Sequence, residues 1–239
     1  MFKIIIPCFG DKSSNLSNLT NSLDKQDVDA DIECFFLEDE ISDNFKKDLQ
    51  ELCSSSKNKF LVENFYQKRL YGLFNVCRFL DDLDEDCIIG IIDSDDYLWG
   101  NDCLSNVKKQ YDLGFDCVWT GNELTGIGVN FSGPLSDDAD VYTHDWVSSH
   151  FKTFKLSDYK TVCPANFLDE KGDWFKACYD QALMLPILHN ILNRGGKTKY
   201  IDKVHYIYNG PTSINEDSEY RKSQLYNEHF IRSRGYVCE

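Results

Sequence analysis

The sequence lacks long hydrophobic runs, because no stretch approaches the roughly 20 apolar residues that a membrane-spanning helix needs. Its first apolar segment, residues 2–6, is ended by Pro7 and is too short to act as a secretory signal peptide. We therefore expect a protein that has no transmembrane segment and remains in the cytoplasm.

Positive charge is also scarce, since 25 Lys and Arg residues stand against 40 Asp and Glu residues, a formal net charge of -15. A surface of this sign repels phosphate backbones, which argues against nucleic acid and anionic lipid as partners. The ten cysteines include no C-x-x-C pair, so neither a zinc knuckle nor a thioredoxin-like site is supported. We expect them to be buried free thiols in a reducing compartment.

Two common nucleotide-binding motifs and one calcium-binding motif are missing. The chain has no G-x-x-x-x-G-K-[ST] phosphate loop, and Gly126-x-Gly128 lacks the rest of the dinucleotide fingerprint. An EF-hand is excluded because Leu98 and Leu104 occupy the positions that require glycine and glutamate. Kinases, NAD-dependent enzymes and EF-hand calcium sensors are therefore disfavoured.

The chain does have the length and composition of one folded domain. With 239 residues, 42% of them hydrophobic and 27% charged, it can bury a single sizeable core. Short apolar runs alternate with amphipathic segments through the first half, which is typical of βα units in a mainly parallel sheet flanked by helices. We expect a single α/β domain over residues 1–239.

Hydrophobic periodicity predicts the elements of that domain. Strands are predicted at residues 2–7, 32–37, 59–62, 87–92, 116–120 and 198–208. Helices are predicted at residues 14–24, 42–53, 65–83, 101–113, 145–154 and 175–192, with a terminal helix after 215. Residues 121–140, rich in Gly and Asp, are predicted to form a loop that either builds part of a site or is mobile.

Two acidic clusters follow predicted strands. Glu38 and Asp39 end the second strand, and Asp93, Asp95 and Asp96 end the most apolar one. Ligands of open α/β sheets bind beyond the carboxyl ends of the strands, so both clusters are expected at one edge. Crowded carboxylates favour a hard cation such as Mg²⁺ or Mn²⁺ between them, and a solvated helix-capping turn is the alternative. Such a cation keeps coordination positions for substrate phosphates, which indicates a nucleoside diphosphate ligand.

Three segments follow one another in the first half: IIIPCFG at 4–10, FFLED at 35–39 and IIDSDDYL at 91–98. They resemble the opening strand, the second strand and the D-x-D segment of the family 2 glycosyltransferases of GT-A fold. The resemblance implies a Rossmann-like GT-A domain in which residues 1–100 bind the nucleotide sugar and residues 101–239 hold the acceptor and the catalytic base. It also implies a nucleotide-diphosphate sugar donor, a UDP-sugar above all, a carbohydrate or other hydroxyl acceptor, and Mn²⁺ or Mg²⁺ as cofactor.

The resemblance also implies roles for individual residues. Asp95 would hold the metal at the diphosphate, and Asp93 would approach the ribose or the sugar. Arg69 lies where the family has a basic stretch, and a solvated charge on a helix face is its alternative interpretation. The donor-binding residues implied in this way are Pro7, Phe9, Glu38, Asp39, Arg69, Asp93 and Asp95.

The second half resembles the family less completely. Residues 179–183 (YDQAL) are similar to its acidic motif at a helix start, which implies that Asp180 is the catalytic base, although Tyr179 replaces the usual acidic neighbour. A simple helix cap is the alternative for Asp180. Residues 208–214 resemble the closing segment of the family but lack its basic and histidine residues. Further contacts to the acceptor or the diphosphate are expected from Asp96, His150, Lys152 and Trp174.

We therefore expect a metal-dependent inverting glycosyltransferase. The cation would stabilise the departing nucleoside diphosphate while Asp180 deprotonates an acceptor hydroxyl. Two alternatives stay open. One is a non-catalytic sugar-nucleotide- or carbohydrate-binding protein, because of the departures at Tyr179 and around Gly210. The other is a sugar nucleotidyltransferase, which would need a more basic phosphate loop after the first strand.

Overall fold

One mixed sheet of eight strands organises the chain. The computed structural model describes residues 1–10, 15–56, 58–63, 69–125, 127–210 and 218–238. The strands are β1 (Phe2–Gly10), β2 (Ile32–Ile41), β3 (Lys59–Glu63), β4 (Ile88–Ile91), β5 (Tyr97–Leu98), β6 (Cys117–Leu124), β7 (Lys152–Lys155) and β8 (Thr198–Tyr208). Their spatial order is β3-β2-β1-β4-β7-β6-β8-β5. The pairs β1/β2, β1/β4, β2/β3 and β6/β8 are parallel, whereas β7 is antiparallel to both β4 and β6, and β5 to β8.

Helices cover both faces of the sheet. They are α1 (Leu16–Asp24), α2 (Asp43–Ser55), α3 (Gly72–Asp81), α4 (Cys103–Asp112), α5 (Leu156–Tyr159), α6 (Tyr179–Asn193) and α7 (Glu219–Arg234), with a 3-10 turn at Pro164–Phe167. Helices α1, α2 and α4 share one apolar core with Ile4 and Ile6 of β1, and α3, α5, α6 and α7 share the other with Ile5. This alternation along β1 produces the expected three-layer α/β domain.

Two further features of the structure concern the cysteines and the length and apolarity of the helices. All ten cysteines are free thiols, and the prediction that they are buried holds for seven of them, whereas Cys53 and Cys163 are half-buried and Cys238 is exposed. Within the described ranges, no helix is both long and apolar enough to cross a bilayer.

The carboxyl ends of β1, β2 and β4 meet at one edge of the sheet, as the sequence predicts. Because the strands are parallel, Cys8 of β1 pairs with Glu38 of β2, and Phe9 pairs with Asp39. On the other side of β1, Ile5 pairs with Ile91, the last residue of β4. The segment that begins at residue 93 therefore emerges beside the ends of the other two strands.

The predicted long helix over residues 65–83 is wrong at its start, because α3 begins only at Gly72. The Asp39 carboxylate accepts hydrogen bonds from the backbone N–H groups of Leu70 at 2.7 Å and Tyr71 at 2.9 Å. Tyr71 itself has a φ of 68°, which a helix does not allow. The contact with β2 thus holds these residues in a non-helical turn, and residues 64–68 lie outside the described part of the chain.

The helix predicted at residues 145–154 is also wrong. Its last three residues belong to β7, which lies between β4 and β6, and Lys152 pairs with Ile91 on one side and Trp119 on the other. Phe151 and Phe154 are three residues apart, which is a helical spacing, and Lys152 and Thr153 between them are polar although both are buried, so the residue types did not indicate a strand. The predicted loop at residues 121–140 is shorter for a similar reason, since β6 continues to Leu124.

Candidate active site

A cavity of about 750 Å³ opens at the edge where β1, β2 and β4 end. The first turns of α3 and α6, the loop before β7 and one face of α7 complete its walls. The structure therefore brings residues from both halves of the chain around one space. Of the residues that the sequence singled out, the cavity is lined by Pro7, Phe9, Asp39, Arg69, Asp93, Asp95, His150 and Asp180.

One end of the cavity is aromatic and positively charged. The Arg69 guanidinium stacks over the Phe9 ring at 3.5 Å and over the Tyr71 ring at 4.4 Å. Lys176 approaches the same Tyr71 ring at 5.5 Å. The Arg69 Nε atom is buried and has no hydrogen-bond partner within the described residues. This end can therefore stack a planar ring and donate hydrogen bonds to an anionic ligand.

The carboxylates after β4 are held by tyrosine hydroxyls. Tyr179 donates a hydrogen bond to Asp93, and Tyr206 donates one to Asp96 at 2.7 Å. The backbone N–H of Asn209 donates a further hydrogen bond to Asp96 at 2.7 Å. Burial raises the pKa of Asp93 and of Asp96, and the negative charges of Asp180 and Asp93, respectively, raise them further. Without a cation these two carboxyl groups therefore keep their protons to a higher pH than usual, and a bound cation would favour their charged forms.

His150 completes a group that fits a metal ion. Its ring is buried and stacks on Tyr206 at 4.7 Å and on Tyr208 at 5.1 Å. Burial lowers the pKa of His150 well below its usual value, so the imidazole is neutral and able to coordinate. Ligand atoms of Asp93, Asp96 and His150 lie within 4.8 Å of one another. Two carboxylates and an imidazole suit a divalent ion such as Mn²⁺ better than Mg²⁺, which prefers oxygen ligands alone.

Asp180 lies in the first turn of α6, where the helix dipole favours a negative charge. Its Oδ1 atom is 3.3 Å from the Nζ of Lys152, a side chain of β7 that is 1% exposed. Cys178, just before the helix, has a φ of 64°, and this left-handed residue directs the chain into α6 beside the cavity. The carboxylate is therefore placed opposite the segment that follows β4.

Comparison with known proteins gives matches in structure alone. No protein-family profile and no curated protein sequence matches the chain. S. aureus TarS matches 100% of the chain with a TM-score of 0.69 and 17% identity, and the chain covers 40% of TarS. TarS 1-349 in complex with UDP-GlcNAc matches with the same TM-score and identity, and the chain covers 68% of it. The mannosyltransferase PcManGT from Pyrobaculum calidifontis, in complex with GDP-Man and Mn²⁺, matches 100% of the chain with a TM-score of 0.61 and 13% identity, and the chain covers 65% of it.

The chain has the GT-A fold. At these identities the likeness establishes the GT-A architecture alone. The chain spans less than half the length of this TarS structure, of which it covers 40%. The GT-A cavity is also the region that contains the acidic segments singled out in the sequence.

Four predicted site residues lie outside the wall of the GT-A cavity. Glu38 turns away and forms an ion pair with Lys46 at 3.6 Å. Trp174 is half-buried and packs edge-on against Phe74 at 5.2 Å and parallel to Phe167 at 6.0 Å. Asp96 and Lys152 are buried behind the wall. Trp146, from the loop before β7, lines the cavity.

Several cavity residues were missed in the sequence. Asn75 and Tyr71 come from the start of α3, and Lys176, Tyr208 and Arg221 come from the second half. Their signal was weak, because polar residues on an amphipathic helix usually face solvent. Residues 208–214 resemble the closing segment of the family, and the structure describes them only to Gly210, since residues 211–217 lie outside the described part of the chain. Within the described part, Tyr208 stacks on His150.

Proposed function

We propose that this chain is a metal-dependent inverting glycosyltransferase that moves a sugar from a nucleotide-diphosphate sugar to an acceptor hydroxyl. One observation carries the proposal: Asp93 and His150 line a single cavity of the GT-A fold together with Asp180, and Asp96, the third member of the group that fits a metal ion, is buried just behind the wall. Metal ligands beside a separate, partly exposed carboxylate are what displacement of a nucleoside diphosphate by a hydroxyl requires.

The donor is proposed to bind with its nucleoside at the aromatic end of the cavity. Phe9 and Tyr71 offer flat apolar surfaces for a base, and Arg69 offers hydrogen-bond donors to it or to the diphosphate. TarS 1-349 was solved with UDP-GlcNAc and with UDP, and PcManGT was solved with GDP-Man. These ligands support a nucleotide-sugar donor, for which we propose a UDP-sugar.

Asp93, Asp96 and His150 would hold the divalent ion, and Asp95 lies beside them on the cavity wall. When bound, such an ion supplies positive charge for the departing diphosphate. Mn²⁺ fits this donor set, and the PcManGT structure contains Mn²⁺.

Individual residues of the chain have separate roles in the proposed reaction. Asp180 accepts the proton of the acceptor hydroxyl, whose oxygen attacks the anomeric carbon as the bond between that carbon and the diphosphate oxygen breaks. Attack from the side opposite the leaving group inverts the configuration. Arg69 and Lys176 lie where they can offset the charge of the nucleoside diphosphate.

A panel of UDP- and GDP-sugars incubated with Mn²⁺ tests the proposal, with release of nucleoside diphosphate as the readout. We expect transfer to water or to added sugars, and we expect Asp180→Asn to lower the rate by about 100- to 10,000-fold with donor affinity retained. Full activity of Asp180→Asn would exclude it as the base. Release of pyrophosphate would indicate a nucleotidyltransferase.

Metal binding is tested independently by titrating free Mn²⁺ with the protein and following its paramagnetic resonance signal. We expect His150→Ala to weaken Mn²⁺ binding at least about tenfold, since a ligand is lost. His229→Ala, at an exposed position of α7, is the matched control and should bind normally. Asp95→Asn is expected to abolish turnover and to weaken metal-dependent donor binding. Normal Mn²⁺ affinity in His150→Ala would contradict the proposed ligand set.

A second candidate, a nucleotide-sugar-binding protein without turnover, is favoured by Tyr179. This residue takes the place of an acidic neighbour of Asp180, and its hydroxyl already occupies one oxygen of Asp93. Donor binding in Mn²⁺ without any release of nucleoside diphosphate would support this candidate over the enzyme.

A further inference from the structure

We propose that Lys152 is a positioning residue that fixes the Asp180 carboxylate for proton transfer, an inference that rests on the proposed function. Lys152 belongs to β7, between β4 and β6, and its side chain is 1% exposed. Its Nζ donates a hydrogen bond to the backbone carbonyl of Ser149 at 3.2 Å and forms an ion pair with Oδ1 of Asp180 at 3.3 Å. The ammonium is thus anchored in the sheet and lies beside this one carboxylate oxygen.

The two oxygens of Asp180 have different surroundings. Oδ1 is buried and, within the described residues, accepts no directed hydrogen bond, so the Lys152 charge is what faces it. The side chain as a whole is 29% exposed and lines the cavity, and its accessible carboxylate oxygen is therefore Oδ2. A carboxylate held at one oxygen presents the other in a fixed direction, and general bases depend on such alignment.

The burial of a lysine at this place also has an electrostatic reason. Asp93 and Asp180 repel each other across the cavity, and the positive charge of Lys152 acts favourably on Asp93 as well. The other groups around the ammonium are the Tyr179 ring, 5.7 Å from Nζ, and His150, whose imidazole is neutral. Buried ion pairs contribute little net stability compared with apolar residues of the same size. A role in alignment accounts for this pair better than a role in stability.

Lys152→Met keeps the length of the side chain and removes the charge. We expect kcat to fall about 10- to 100-fold while the KM for the donor changes less than about threefold, because the donor site is intact and the base is misaligned. Lys155→Met is the matched control from the same strand. Lys155 pairs with Asp116 at 2.7 Å and does not line the cavity, so kcat should be unchanged.

A double-mutant comparison separates alignment from a general effect on the fold. In an Asp180→Asn background, Lys152→Met should lower kcat no further, since the group that it positions has gone. An equal additional loss in that background would overturn the inference, as would wild-type kcat in Lys152→Met alone. Lys152→Gln serves as the second variant if Lys152→Met does not fold.

Urea unfolding tests the contact between Lys152 and Asp180 without any activity measurement. The four proteins compared are the wild type, Lys152→Met, Asp180→Asn and the double variant. Each single variant leaves one charge of the pair without its partner. The urea midpoint of the double variant should therefore fall by less than the sum of the decreases in the two single variants. If the wild type transfers no sugar but this coupling is present, the contact stands and the proposed function fails. Additive shifts of the midpoint would refute the positioning contact whatever the activity.

Discussion

Asn75 is expected to weaken the fold and strengthen ligand binding. It lies in α3, is 2% exposed and lines the cavity. Its Nδ2 atom is buried and finds no hydrogen-bond partner in the described ranges. An amide donor in this state costs free energy that a ligand oxygen can recover.

The magnitudes follow from that geometry. A buried unpaired donor costs about 1–3 kcal/mol, and Ala also has a helix propensity about 0.5 kcal/mol better than Asn. Packing lost on truncation offsets part of this gain, so Asn75→Ala should leave the free energy of unfolding unchanged or raise it by about 1 kcal/mol. Loss of one hydrogen bond to the ligand should raise the Kd of the nucleotide sugar about tenfold.

Urea unfolding and isothermal titration calorimetry with the nucleotide sugar measure the two effects. Asn106→Ala is the matched control, because the Nδ2 of Asn106 is already bonded to Asp102 at 3.0 Å. It should lower stability and leave the Kd unchanged. If Asn75→Ala instead lost more than about 1 kcal/mol of stability and bound the donor normally, the amide would be satisfied within the fold and the reasoning would be refuted.

Two further predictions concern stability. Gly90→Ala should lower the free energy of unfolding by about 1–3 kcal/mol in a denaturant titration, because a Cβ there would lie 2.6 Å from Phe151 Cζ. An unchanged unfolding midpoint would show that the Phe151 ring can move aside for the added methyl group. Glu33→Gln should cost about 1–3 kcal/mol at pH 7, since Lys3, 4% exposed and bonded to Glu33 at 2.6 Å, would keep only Glu85. Hydrogen bonds from Lys3 and from Lys59 lower the pKa of Glu33 in the folded protein. The stabilisation is therefore complete above the unfolded pKa of about 4.3. It disappears as the pH falls through the lower pKa of the folded state. A difference between wild type and Glu33→Gln that stayed constant from pH 7 to pH 2 would contradict this.

The first half of the fold was predictable because its signals are local. Strands β1, β2 and β4 contain apolar runs that are followed by polar residues in the sequence, and parallel pairing brings the ends of such strands to one edge. The same rule predicted that Asp39 and Asp93 lie near each other. It could not predict that Asp39 would bind the backbone of Leu70 and Tyr71 and so delay the start of α3.

The second half was less predictable because β7 enters the sheet between strands that are distant in sequence. Residues 150–155 have no alternation that marks a strand, since both faces are covered. Consequently His150 and Lys152 were assigned to a helix, and their burial beside Asp93 and Asp180 was not foreseen.

The sequence by itself determined the α/β class and the sheet edge that carries the acidic residues. These depend on local periodicity and on the order of the strands. Only the tertiary structure decided which oxygen of Asp180 is open, that His150 lies beside Asp93 and Asp96, and that the Asn75 amide faces the cavity with no hydrogen-bond partner among the described residues. Those outcomes depend on contacts between segments far apart in the chain, where packing and burial rather than residue type fix each side chain.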